Sequence, residues 1–380
     1  MESARQIRSR KTLLKSSCMK RQLKVLSIAY PFSRVTSDSA GGAEQILSTL
    51  DKVLAKKGHE TVTIAAAGSE TTGRLISADP LVSKDFSDEI RANVHKRYQE
   101  LISKTLESES FDFIHMHGID FSSYLPKTET PILVTLHLPP SWYPSKIFNS
   151  ESNSFFLNAV SYTQRKECPH APHLLGVIEN GVPLEDFEMS ALKEDYILCL
   201  GRICPEKGFH LALDIAKKAD LPLILAGQVF PYPSHIHYFE NEIAPRLDKK
   251  REYIGPVGLS KKRTLLNRAR CLLVSSLAPE TSCLVAMEAL ASGTPVVTLR
   301  TGALPEIIED RVTGRIVDSP NEFAEAIESC SDIDPLRCIQ SARNRFSADR
   351  MVESYLQFYD DVIEFCFTKR KKSRVFDCFG

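Results

Sequence analysis

The stretch CLLVSSLAPETSCLVAMEALASGTPVVTL (271–299) decides how the second half of this chain folds. CLLVSS (271–276) is a short apolar run of the kind a buried strand makes. A loop with Glu280 follows, then an apolar helical segment carrying Glu288, closed by Gly293 and Pro295. PVVTL (295–299) begins another strand. Strand, loop, helix, strand is the repeating unit of a parallel sheet, because parallel neighbours need a crossover connection. Two glutamates at this spacing say little about function by themselves.

Upstream, EDYILCLGRICPEKGFHLALDIA (194–216) shows the same rhythm: an apolar strand, a loop, a helical pattern. Arg202 and Lys207 sit in the strand-to-helix turn, beside a helix N-terminus. That end of a helix favours anions through its free N–H groups and its dipole. Arginine offers a planar fork to phosphate oxygens and lysine a mobile point charge. The pair fits a diphosphate clamp, and it equally fits two solvated loop charges.

The pattern extends along the chain. LKVLSIAY (23–30) is a strand followed by a loop, and Gly41-Gly42 open a helix whose Ile46, Leu47, Leu50, Val53 and Leu54 share one face. TVTIAAA (61–67), FDFIHMHG (111–118) and PILVTLHL (131–138) are further strands, the last two carrying histidines at their ends. A charged helix is expected around 86–106, and SFFLNAVSYTQRKEC (154–168) reads as a short strand and helix. In the second half YILCL (196–200), PLILAG (222–227), EYIG (252–255), CLLVSS, PVVTL and GRIVD (314–318) are strands alternating with helices. This alternation predicts doubly wound parallel sheets, whose ligands bind beyond the carboxyl ends of the strands. The segment 347–367 is an amphipathic end helix.

At 380 residues the chain should form about two domains. Lys+Arg and Asp+Glu balance at 48 each, so nucleic-acid binding has no electrostatic support. No apolar run approaches a membrane span. The 10 cysteines are scattered without a C-x-x-C pair, which argues for reduced thiols in the cytoplasm and against a zinc site. Residues 1–21 are a basic leader with Arg5, Arg8, Arg10, Lys11, Lys15, Lys20 and Arg21 against Glu2. It reads either as a disordered leader, with Met19 as the true start, or as a contact for anionic lipid. The basic tail 368–380, with KRKK (369–372), is either solvated or a second such contact, which would put the protein peripherally at the inner membrane face.

Gly201-Arg202, Glu206-Lys207-Gly208, the pair Glu280 and Glu288, and Gly302-Ala303-Leu304-Pro305-Glu306-Ile307-Ile308 occur in this order. On these motifs the chain resembles the retaining glycosyltransferases of family 4 (glycosyl transferases group 1), over residues 22–366. The resemblance implies a GT-B architecture: two Rossmann-like doubly wound parallel-sheet domains facing across a cleft. The N-terminal acceptor domain would be 22–178, completed by the helix 347–367, and the C-terminal nucleotide-sugar donor domain 179–346. The crossing at HLLGVIENGVPLEDF (173–187) would turn at Asn180-Gly181. The resemblance also implies hexosyl transfer with retention, of the kind used in polysaccharide biosynthesis, to a glycan, lipid-linked or small-molecule acceptor.

In that frame Arg202 and Lys207 clamp the diphosphate and neutralise the departing nucleoside diphosphate, so no metal cofactor is expected. The resemblance gives Glu288 to the ribose hydroxyls, Glu280 to the donor sugar and the developing oxocarbenium charge, and His137 to a sugar hydroxyl. The N–H groups of Cys283 and Leu284 would meet phosphate oxygens at a helix start. Family members often have Phe-Gly where this chain has Ser282-Cys283, and a β-carbon there restricts the approach of phosphate. Gly41 and Gly42 suit close approach of phosphate or acceptor. His117 faces either the site or the core, and His115 reads as the more core-like of the two. Trp142 and Tyr143 either stack on an acceptor sugar or pack their loop. The one D-x-D match, Asp332-Ile333-Asp334, reads as a turn rather than a metal ligand pair. The histidines of PYPSHIHYF (231–239) have no third ligand apparent in the sequence. Two other readings remain open: a nucleotide-sugar epimerase of the same fold, which would make no glycosylated product, and a non-catalytic sugar-nucleotide-binding scaffold.

Overall fold

The computed structural model describes residues 21–78, 87–150, 152–189 and 192–377, with side chains to 368. The leader up to Lys20, with Met19, and the side chains of KRKK (369–372) lie outside the described residues. The chain divides into two units. The first holds residues up to Val160, Arg165–Ile178 and the chain from Met351 onward; the second holds Ser161–Gln164 and Glu179–Arg350.

The sheet of the first unit contains β1 (Lys24–Ile28), β2 (Glu60–Ala65), β3 (Arg74–Ser77), β4 (Phe113–Met116), β5 (Ile132–Leu136), β6 (Phe155–Ala159) and β7 (Leu174–Val177). Their order is β3-β2-β1-β4-β5-β6-β7, with every neighbour pair parallel. The sheet of the second unit contains β8 (Ile197–Leu200), β9 (Leu223–Ala226), β10 (Arg251–Tyr253), β11 (Cys271–Val274), β12 (Val296–Leu299) and β13 (Gly314–Val317). Its order is β10-β9-β8-β11-β12-β13, again parallel throughout. Both sheets are therefore doubly wound and Rossmann-like. In each, the strand order reverses beside the first strand, between β1 and β4 and between β8 and β11. Loops leave that point in opposite directions, so a crevice opens beyond the strand ends.

The strands are near-continuous apolar runs because helices cover both faces. Leu26, Ile28, Ile114, Val134 and Leu157 are fully buried in the first unit; Leu198, Cys199, Leu272, Val296 and Val297 are fully buried in the second. Each such aliphatic side chain contributes about 1.5–3 kcal/mol on burial. Two edge strands, β3 and β7, form where no strand is expected, β7 within the segment read as a domain crossing. The charged helix spans Asp88–Ser108, with the Ser87 side chain accepting from the Ile90 N–H. The end helix spans Ala348–Asp377 and runs past its expected end at Phe367, since Lys and Arg favour helix and neither Gly nor Pro interrupts. Among the described residues no helix is long and apolar enough to cross a membrane.

The end helix supplies polar side chains to the core of the first unit. His115 Nδ1 pairs with the Tyr359 hydroxyl at 2.6 Å, and its Nε2 with Thr135 Oγ1 at 2.8 Å. Thr135 Oγ1 also meets Asn158 Oδ1 at 2.8 Å and the Tyr355 hydroxyl at 3.0 Å. His115 is thus a satisfied core histidine. His117 and His137 follow the adjacent strands β4 and β5, with His117 Nδ1 and His137 Nε2 3.2 Å apart.

Burial lowers the pKa of all three imidazoles, that of His137 to about 4, with mutual repulsion adding to the effect on His115 and His117. A depressed folded-state value means stability present above the unfolded value, about 6.5, and lost as pH falls through the folded value. Urea midpoints should therefore fall as pH is lowered from 6.5 toward 4, and His117→Gln should flatten that fall. Parallel pH profiles for the variant and the wild type would contradict this role of the imidazoles.

Candidate functional site

The reversal between β8 and β11 carries the residues singled out in the second unit. The loop after β8 holds Gly201 to Gly208, and the loop after β11 holds Ser275 to Cys283. Backbone contacts knit the two: the Leu277 N–H donates to Glu206 O at 2.8 Å, and Ser275 Oγ donates to Lys207 O at 3.0 Å. Gly208 makes this possible. It sits at φ +61° as the N-cap of the helix Phe209–Lys218, and a Cβ there would stand 2.3 Å from Ser275 O.

Lys207 Nζ reaches Glu280 Oε1 at 2.5 Å, and the same oxygen accepts from Ser276 Oγ. Burial alone would lower the Lys207 pKa, but the Glu280 carboxylate outweighs it and holds the ammonium above its ordinary value. Lys207 is therefore charged at neutral pH and fixed in place. Arg202 is exposed on the same loop. A third loop, after β12, closes on the Glu280 backbone, where the Ala303 N–H donates to Glu280 O at 2.7 Å.

Cys283 is the N-cap of the helix Leu284–Ala291, with φ −136°, so its β-carbon fits without strain. Burial, with Glu280 adding, pushes its thiol up to about 12, so it stays protonated and is no nucleophile. Ser282 Oγ beside it is buried with no hydrogen-bond partner. Glu288 lies within that helix, 5% exposed, and Lys262 Nζ holds its Oε1 at 2.6 Å. Burial raises the Glu288 pKa while Lys262 pulls against it. Sequence reasoning missed Lys262, which comes from the helix Leu259–Arg268, and the serines that hold the loops. Lys262 stands in a basic stretch that looks like a solvated face, and no local pattern marks it as a buried partner.

Asp334 caps the helix Pro335–Arg345, its side chain accepting from the Leu336 N–H at 2.9 Å. The D-x-D match is thus turn and cap. Glu306 of the third motif accepts from the backbone N–H groups of Tyr162 and Thr163.

In the first unit Gly41 is the N-cap of the helix Gly42–Lys56, at the β1–β4 reversal. The Glu44 carboxyl lies against it: a Cβ on Gly41 would stand 1.9 Å from Glu44 Oε2. The helix start therefore meets its own acid. His117 is buried, and its Nε2 has no hydrogen-bond partner. The Tyr143 hydroxyl accepts from the His137 and Leu138 N–H groups at 2.9 and 3.1 Å, so its buried ring packs the loop. Trp142 is 56% exposed.

Residues 185–345 match the family model of glycosyl transferases group 1. The second unit is a domain of that type. A putative glycosyltransferase, YtcC of Bacillus subtilis (strain 168), is 26% identical over 279 residues, 61% of this chain and 67% of its own length. Among solved structures AviGT4, a glycosyltransferase involved in avilamycin A biosynthesis, has a TM-score of 0.69 at 24% identity, covering 90% of this chain and 98% of its own. Anabaena Alr3699/HepE, crystallised with UDP and glucose, has a TM-score of 0.64 at 17% identity, covering 88% and 98%. At these identities the solved structures establish the shared GT-B fold.

Gly302 permits the third loop to close: at φ +54°, a Cβ would stand 2.3 Å from Glu280 O and 2.4 Å from Glu280 N. Gly302→Ala should cost about 1–3 kcal/mol from the strained backbone. Gly176→Ala, with nothing within 4 Å of the added carbon, is the control. Equal urea midpoints for the two variants would show that the loop does not depend on this close approach.

Proposed function

We propose that this protein is a retaining glycosyltransferase that moves a hexosyl group from a nucleotide-diphosphate sugar to a glycan, lipid-linked or small-molecule acceptor, without a divalent metal in the reaction. The observation that carries this reading is the Lys207–Glu280 pair at the β8–β11 reversal, in a unit that matches glycosyl transferases group 1. A preset cation where a diphosphate departs stabilises charge that develops in the transition state. Lys207 and Arg202 fill that role. The N–H groups of Cys283 and Leu284, with the unpartnered Ser282 hydroxyl, add donors for phosphate oxygens. Glu280, fixed by Lys207 and Ser276, presents negative charge to the anomeric carbon.

In the transfer the bond between anomeric carbon and phosphate oxygen breaks, and its electron pair leaves with the diphosphate. The acceptor oxygen attacks the same face of the sugar, and its proton passes to the departing phosphate oxygen. No side chain is needed as nucleophile. Glu288 takes the ribose hydroxyls while Lys262 holds one of its oxygens. His137, neutral above pH of about 4, acts as a hydrogen-bonding group rather than an acid. UDP-glucose comes first among donors to test because HepE, a fold neighbour, was crystallised with UDP and glucose.

A thermal-shift screen against UDP, GDP, ADP and TDP, with and without magnesium, should give a shift with one nucleotide that does not need the metal. Binding at one hundred times Kd corresponds to about 2.7 kcal/mol. No shift with any of them would sink the donor-site reading.

With the matching nucleotide sugar, Lys207→Ala should lower kcat about 100-fold or more while the protein remains folded. Wild-type turnover in that variant would remove Lys207 from the clamp. A product of inverted anomeric configuration, read by NMR, would reject retention, and a changed sugar nucleotide without acceptor would favour an epimerase.

A further inference from the structure

Cys204, Glu206 and His235 bring a thiol, a carboxylate and an imidazole together, with their ligand atoms all within 4.8 Å of one another. Among the described residues this is the one such group of His, Cys, Asp and Glu. The first two lie in the loop after β8, and His235 lies in the short helix Pro233–Tyr238 that follows β9. Gly227 creates the meeting. It sits at φ +153°, and a Cβ there would stand 1.7 Å from Gly201 O. With no side chain, the two loops lie against each other, and the Ile203 N–H donates to Gln228 O at 3.0 Å.

Two features point to a ligand. His235 Nδ1 is buried and has no hydrogen-bond partner, an arrangement that costs about 1–3 kcal/mol unless something binds there. Its ring lies against those of Tyr232 and Phe230, with centroids 5.1 and 6.4 Å away. The Cys204 thiol is 1% exposed, donates to Arg202 O at 3.6 Å and lies within hydrogen-bond reach of the Glu206 carboxylate.

We propose that Cys204, Glu206 and His235 form a binding site for a thiophilic divalent cation of the zinc class. Sulfur, nitrogen and one carboxylate oxygen are the donors such an ion takes, and magnesium, which demands oxygen ligands, is excluded. Charge fits as well. A thiolate and a carboxylate offset a doubly charged ion, so the filled site is neutral beside Arg202. On binding, the S–H bond gives way to a sulfur–metal bond and the proton passes to solvent. The ion takes no part in glycosyl transfer. It pins the segment next to Lys207 to the loop after β9, and the proposal stands whether or not the glycosyltransferase reading does.

Chelator-treated full-length protein titrated with zinc against a chromophoric competitor should bind one equivalent. Cobalt in its place should show tetrahedral visible bands and a thiolate-to-metal band in the near ultraviolet. Cys204→Ser should abolish the thiolate band, and His235→Ala and Glu206→Gln should each weaken zinc at least about tenfold. Cys168→Ser, a buried cysteine of the first unit, should change nothing. His235→Ala alters a partly exposed residue and carries the test if Cys204→Ser does not fold. The proposal is overturned if the wild type binds no stoichiometric ion, or if binding survives both Cys204→Ser and His235→Ala.

Discussion

The contact between the Lys207 ammonium and the Glu280 carboxylate ties together the loops that follow β8 and β11, where the proposed chemistry is placed. The two residues belong to loops that follow different strands, and the chain between them builds two further strands and three stretches of helix. What brings them together is backbone approach. Gly208 lets one loop sit on Ser275, and Gly302 lets another sit on Glu280 itself. The carboxylate offsets the burial that would otherwise lower the lysine's pKa. In the proposed transfer a cation held this way is oriented before any substrate arrives, as electrostatic stabilisation of a leaving group requires.

Much of this was legible in the sequence. The strand–loop–helix reading of 194–216 and 271–299 rests on strong local contrasts between apolar runs and loops, and the structure places Lys207, Glu280 and Glu288 on the elements so expected. The sites that escaped notice depend on distant partners. Lys262 is one cation among several on a polar helix until folding sets it against Glu288. Cys204 and His235 are far apart in sequence, with no spacing that signals a shared ligand. The strands β3 and β7 are short edge strands, and Arg74 and Ser77 of β3 are exposed. Such strands show little apolar periodicity and take their form from the sheet they join.

The first unit treats its polar residues differently. Of its histidines at the ends of β4 and β5, His115 and His117 are buried and His137 is half-buried, and His115 has both nitrogens satisfied inside the core. Alternation of histidine with apolar residues in FIHMHG could not distinguish a core role from a surface one, because both place the rings on one face of the strand. The structure separates them: His115 belongs to the core network, while His117 keeps one unpartnered nitrogen beside His137.

That core network has a temporal side. The hydroxyls that complete it, on Tyr355 and Tyr359, are made more than two hundred residues after His115. On a ribosome adding roughly 5–20 residues per second, the first half of the chain waits many seconds for them. During that interval His115 Nδ1 has no hydroxyl to pair with, while the second unit, which is nearly continuous in sequence, emerges. The residues of the second unit are therefore all made before those of the first unit are complete.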